Sequence, residues 1–92
     1  MNALNAAAEE ARHYANQARS RAAQAGTDLQ RLTLSAAALT LDSVARLLSR
    51  PDRENAVLDA LSIAESYATS ADAGPLALPG GFTLNVLDYL TA

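Results

Sequence analysis

The sequence predicts an all-α fold: a small, antiparallel three-helix bundle with a docked C-terminal segment. Three observations support this prediction. Half of the 92 residues are hydrophobic, and most of these recur at helical spacing. Turn-forming residues near positions 26–28 and 49–52 divide the chain into three long segments of one domain. The middle segment is apolar around most of its circumference, so it needs neighbours on more than one side.

The first helix, predicted over residues 2–25, is rich in alanine, which has the highest helix propensity. Small residues recur along it at alternating helical spacings that are typical of helix–helix contacts. We call this row the alanine seam: Leu4, Ala8, Ala11, Ala15, Ala18, Ala22 and Ala25. Because alanine buries little area, the seam needs larger residues opposite it, and Leu32, Leu39 and Leu47 are the predicted ones. The alternative is that the seam pairs with its copy in a second chain.

The second helix is predicted over residues 28–49. Gly26 suits the left-handed position beyond a helix end, and Thr27 with Gln30 predicts a capping box. The alternative is one continuous helix, because the apolar pattern continues in phase across Gly26. Charged residues of the second helix fall in one narrow strip, and this predicts a central helix that its neighbours cover.

The third helix is predicted over residues 51–71. Pro51 is tolerated in a first turn, and Asp52 and Glu54 suit the positive end of a helix dipole. Its apolar residues are predicted to share one buried face: Ala56, Val57, Ala60, Leu61, Ile63, Ala64, Tyr67, Ala68 and Ala71. Leu58 is the exception, because it projects among polar residues.

The C-terminal segment, residues 76–91, has two interpretations. With a period of 3.6, Thr83 caps a short helix whose apolar residues Val86, Leu87 and Leu90 face inward. With a period of two, the segment forms a hairpin across residues 79–81. We favour the helix, because a lone hairpin is marginally stable in water. A segment this apolar is expected to cover Leu58 and the open side of the central helix, or a partner.

No set of residues predicts catalysis, a cofactor or a metal site. The sequence has no cysteine, which excludes disulfides and thiolate–metal sites. Its single histidine, His13, is expected on the solvent side of the first helix, without converging partners. The serines lie in helical contexts without a neighbouring base. We therefore expect a protein that is not an enzyme.

Charge is polarised along the chain. All seven basic residues are arginines that precede Glu54, and the ten acids are divided equally before and from that position, so the net charge of −3 combines +2 with −5. Such asymmetry can orient a partner. The N-terminus lacks the pattern of a signal peptide, and no apolar run is long enough to span a membrane. We expect a soluble, cytoplasmic protein.

The sequence favours a non-catalytic protein-binding module, such as a small adaptor, inhibitor or regulatory protein, that acts through helix faces and forms a homodimer. Seven residues are predicted to contact the protein partner: Arg12, Tyr14, Arg19, Arg21, Leu58, Phe82 and Tyr89. The alternative is a dimeric transcriptional or antitoxin-like regulator that touches DNA with Arg12, Arg19 and Arg21. The absence of lysine and a pI of about 4.8 oppose nucleic-acid binding.

Overall fold

The computed structural model describes residues 3–48, 50 and 54–91. The helices of this part of the chain are α1 (Ala3–Ala23), α2 (Asp28–Leu47), α3 (Glu54–Ala68), a 3₁₀ helix (Ala71–Leu76) and α4 (Phe82–Thr91). The three long helices pack antiparallel with α2 in the middle, and α4 docks on α1. The predicted all-α bundle with a docked C-terminal segment is confirmed, and that segment is helical rather than a hairpin.

The break between the first two helices is confirmed, and its chemistry is partly as predicted. Thr27 Oγ1 accepts the backbone N–H of Gln30 at 3.1 Å, and Gln30 Oε1 accepts that of Gly26 at 3.0 Å. The prediction of a left-handed Gly26 is wrong, since only Gly74 and Gly81 have positive φ among the described residues. Instead, Ala25 N–H bonds to Ala22 O at 3.2 Å and closes α1 with a tighter turn.

The central part of the alanine seam is buried within the chain. Its five central alanines are all less than 9% exposed and belong to the hydrophobic core: Ala8, Ala11, Ala15, Ala18 and Ala22. The side of α2 that contributes to this core carries mostly small or medium residues, including Ala37, Ala38, Leu41, Val44 and Ala45. Small residues on both helices allow a close approach of the helix axes. The central part of the seam is therefore occupied by this chain's own helices, whereas Leu4 at its start remains 44% exposed.

The leucines predicted to face the alanine seam do not all do so. Leu32 and Leu39 are each 68% exposed, whereas Leu34 and Leu41 are fully buried, and Leu47 is partly buried. Residues two apart on a helix point about 200° apart, so burying one pair turns the other pair outward. The prediction is wrong for Leu32 and Leu39, and one face of the central helix is left uncovered by α1 and α3.

The buried face of α3 is narrower than predicted. Val57, Leu61, Ala64 and Ala68 are buried, but Ile63 and Tyr67 lie on a flank that remains 50% and 43% exposed. The helix ends at Ala68 rather than at residue 71. The reason lies at Ser70, whose backbone is extended and whose hydroxyl caps the 3₁₀ helix by accepting Asp72 N–H at 3.1 Å. The predicted start at residue 51 lies outside the described residues.

The C-terminal helix packs mainly against α1, with fewer contacts to α3. Val86 and Phe82 are buried in the same core as the alanine seam, and Leu87 and Leu90 pack against that core as predicted. The expectation that this segment covers Leu58 and the open side of α2 is wrong: Leu58 remains 44% exposed. Thr83 is not the cap, since its hydroxyl donates to Leu61 O at 3.3 Å.

Candidate protein-interaction surface

Phe82, one of the predicted contact residues, lies in the core. Its side chain is 1% exposed and stacks on Tyr14, with ring centroids 4.8 Å apart and planes tilted by 30°. As the first residue of α4, it fills the space between that helix and α1. The prediction of Phe82 as a surface contact is therefore wrong, because this fold leaves no part of the ring for a partner.

The two predicted tyrosines join α4 to α1. Half-buried Tyr14 accepts a hydrogen bond from Asn85 Nδ2 at 2.8 Å. The hydroxyl of Tyr89 makes a long contact of 3.5 Å with Glu10 Oε2, and the residue is 41% exposed. Both polar tips thus have partners within the chain. Tyr89 and Leu58 keep exposed surface, and their contact with a partner stays a prediction.

The three predicted arginines do not form one basic surface. Arg19 makes a salt bridge of 2.6 Å to Asp42 on α2. Arg21 is part-buried and donates to Leu76 O at 3.1 Å and Ala77 O at 2.7 Å. Arg12 is exposed beside a surface groove of about 340 Å³ that is lined by Leu4, Asn5, Ala8, Glu9, Arg12, Ala45 and Leu48. Arg21 projects from a different face of α1 than Arg12 and Arg19, so the three side chains cannot follow one phosphate backbone.

Exposed apolar residues form a row on α2 that includes Leu32 and Leu39, two of the leucines predicted to face the alanine seam. On the side of α2 that faces away from α1, Leu29, Leu32 and Leu39 are 54%, 68% and 68% exposed. With half-buried Ala36, these residues recur at alternating spacings of three and four, the a and d positions of a heptad. We call this row, Leu29, Leu32, Ala36 and Leu39, the α2 outer face. The signal that it existed was the nearly all-round apolar character of α2.

A shallow groove also lies between α2 and α3, and Thr33 is the α2 residue that lines it. It has a volume of about 410 Å³ and is lined by Thr33, Ser62, Ile63, Ser66, Tyr67, Ser70 and Asp72. Ile63 and Tyr67 are its large apolar residues, and both are about half exposed. Serines and Asp72 surround them, so the groove has an apolar centre and a polar margin, as protein-binding surfaces commonly do.

Opposite charges mark the two ends of the α2 outer face. At its start, the Asp28 side chain is 87% exposed and makes a surface salt bridge of 2.8 Å to Arg31. At its end, exposed Arg46 donates from NH2 to Ser43 Oγ at 3.1 Å. The order along the helix is therefore Asp28 with its paired Arg31, the apolar row, and Arg46. Such an order can distinguish the orientation of a second helix laid on this face.

The described residues contain no group of three or more His, Asp or Glu side chains that could hold a metal ion. His13 is exposed, as predicted, and its Nε2 lies 3.2 Å from the side-chain amide of Gln17. No helix in the described part of the chain is long and apolar enough to cross a bilayer.

No protein-family model, no curated protein and no solved structure matches this chain.

Proposed function

We propose that this protein is a non-catalytic protein-binding module whose binding surface is the α2 outer face. One observation carries the proposal: three leucines, each more than half exposed, form a heptad row on a helix whose other side builds the core. Scattered exposed leucines are normal on a protein surface, but a contiguous apolar row on one helix face is typical of binding sites.

The energetics favour a partner at this face. Full burial of a leucine side chain contributes about 1.5–3 kcal/mol, so Leu29, Leu32 and Leu39 together offer several kcal/mol. Association itself has a cost of similar size. Ile63 and Tyr67 in the adjoining groove add the apolar area that moves the balance toward binding, and a tyrosine at this position offers contact area with a polar tip.

The shape of the surface indicates the kind of partner. A convex helix with residues in a and d positions accepts another amphipathic helix, whose own side chains fill the spaces between its leucines. A small-molecule ligand is disfavoured, because the groove beside α2 is shallow and lacks the enclosure that buries most of a ligand's surface. The proposed function is therefore recognition of a helix rather than of a metabolite.

The experiment compares three baits: the wild-type protein, Leu39→Arg and Leu84→Arg. Leu84 is the matched control, because it is 67% exposed on α4 and lies outside the α2 outer face. We expect the wild type and Leu84→Arg to bind the same helical partner and Leu39→Arg to lose it, while all three give the same helical circular dichroism. Equal binding by Leu39→Arg and the wild type would show that the α2 outer face is not the binding surface.

A further inference from the structure

We infer that the helix bound by the α2 outer face is α2 of a second copy of this chain, packed antiparallel about a two-fold axis. This inference rests on the proposed function, because it names the partner of the same surface. It does not use the alanine seam, whose central part is already buried within the chain.

The residue sizes along the row fit their own reversed copy. In an antiparallel helix pair, a positions of one helix lie opposite d positions of the other. When the two-fold axis lies beside residues 37 and 38, Ala36 of one protomer faces the partner's Leu39, and Leu32 faces the partner's Ser43. In both contacts a leucine meets a small side chain, and the symmetry repeats them. Leu29, the third leucine of the row, lies opposite the partner's Arg46.

The charges of Asp28 and Arg46 also favour the antiparallel arrangement. In this register Arg46 lies beside Leu29 and Asp28 of the partner subunit, so its stem covers the leucine. Its guanidinium reaches the carboxylate, which then joins Arg46 and the partner's Arg31. The two-fold axis produces this contact twice. A parallel pair would instead place Asp28 against the partner's Asp28, and Arg46 against the partner's Arg46, and both contacts are repulsive.

The groove beside α2 lies where the second α2 helix would close it. Thr33 lines the groove, and in the antiparallel register the partner's Thr40 lies across the helix pair from Thr33. Ile63 and Tyr67, which α2 alone leaves about half exposed, then flank the added helix. The interface then includes Ile63 and Tyr67 in addition to the leucine row.

Sedimentation equilibrium of the purified full chain gives the first test. We expect the wild type and Leu84→Arg to be dimers in the micromolar range, and Leu39→Arg to dissociate at least roughly tenfold more readily. Circular dichroism establishes that the variants are folded. A monomeric wild type, or a Leu39→Arg dimer as tight as the wild type, overturns the inference.

Charge reversal tests the orientation. Asp28→Arg and Arg46→Asp should each weaken the dimer, because each places like charges together at both ends of the interface. An equimolar mixture of the two variants should restore dimerisation, and the double variant Asp28→Arg/Arg46→Asp should dimerise alone. Failure of the double variant to recover the dimer overturns the antiparallel pairing, since its acid and base have only exchanged places.

Crosslinking tests the register without relying on affinity. The chain contains no cysteine, so introduced cysteines are the only thiols. A differently tagged mixture of Leu32→Cys and Ser43→Cys chains should form the mixed disulfide in preference to either homodimer. Preferential linkage of Ser43→Cys to itself would indicate a parallel pair and overturn the inference.

The inference and the proposed function fail separately. If the wild type is a monomer and a different protein is bound in a manner that depends on Leu39, the second copy is ruled out and the binding surface stands. If the wild type is a monomer and no binding depends on Leu39, both are wrong.

Discussion

The carboxylate of Glu65 on α3 accepts the backbone N–H of Thr83, in the first turn of α4, at 3.0 Å. The same oxygen, Oε1, accepts the N–H of Gly81 at 3.0 Å. α4 has ten residues and no acid of its own in its first turn, and a helix this short is not stable alone. A side chain from a neighbouring helix therefore caps α4 and places a negative charge at the positive end of its dipole.

Replacing Glu65 should weaken the attachment of α4. We expect Glu65→Ala to lower the free energy of unfolding by about 1–3 kcal/mol, because two backbone donors lose their acceptor. Glu65→Gln should lose less, since its amide oxygen still accepts. Urea unfolding measures the stability, and hydrogen exchange should show the largest loss of protection in α4.

The control for this prediction is Asp59→Ala, which removes an exposed carboxylate from the same helix. It should change stability by less than about 0.5 kcal/mol. Equal effects of the two substitutions would mean that Glu65 contributes only surface charge.

Arg21 should stabilise the packing of the end of the 3₁₀ helix, at Leu76 and Ala77, against α1. Its guanidinium NH1 donates to two backbone carbonyls, Leu76 O and Ala77 O, in a part-buried position. We expect Arg21→Ala to cost about 1.5–3 kcal/mol, because hydrogen bonds to a charged donor are strong. Arg21→Lys should recover part of this loss. Thermal unfolding measures the stability of both Arg21 variants. Arg12→Ala is the exposed control, and a larger loss of stability in Arg12→Ala than in Arg21→Ala would contradict the prediction.

The sequence was sufficient for the fold class and for the main breaks between helices, because those depend on local chemistry. Thr27 and Gln30 are three residues apart, and their capping contacts form within one turn. The contacts of Arg21 with Leu76 and of Glu65 with Thr83 join residues 55 and 18 apart. No local pattern identifies such pairs, since many other side chains could have supplied the same hydrogen bonds.

The exposed face of α2 could not be predicted for a reason other than long-range contacts. The pair Leu34 and Leu41 and the pair Leu32 and Leu39 both recur at a spacing of seven, so periodicity allows either pair to face the core. The choice depends on how α1 and α3 pack on α2, and this is a tertiary effect. A helix that is apolar nearly all round has more than one face to bury, and its own bundle has buried one.

A side chain at Gly81 should strain the backbone. Gly81 has φ of +95°, in the region that favours glycine, directly before α4. We expect Gly81→Ala to cost at least about 1–2 kcal/mol through backbone strain. Gly80 is the matched control, because its φ is not positive and an added Cβ would lie an ordinary 3.7 Å from Thr69 Cγ2. Chemical unfolding should show Gly81→Ala to be less stable than Gly80→Ala. Equal free energies of unfolding would contradict the backbone strain at Gly81.

The contact between α1 and α2 depends on alanine being small. Ala15 is fully buried at the middle of the alanine seam. Ala15→Leu adds three carbon atoms where the core is closely packed, so α1 must move away from α2 or leucine must adopt a strained rotamer. We expect a loss of about 1–3 kcal/mol in unfolding free energy, measured by urea titration. Ala23→Leu, the same exchange at an exposed position of α1, should be nearly neutral. If Ala15→Leu were as stable as the wild type, the two helices would have to be separated by space that a leucine can fill.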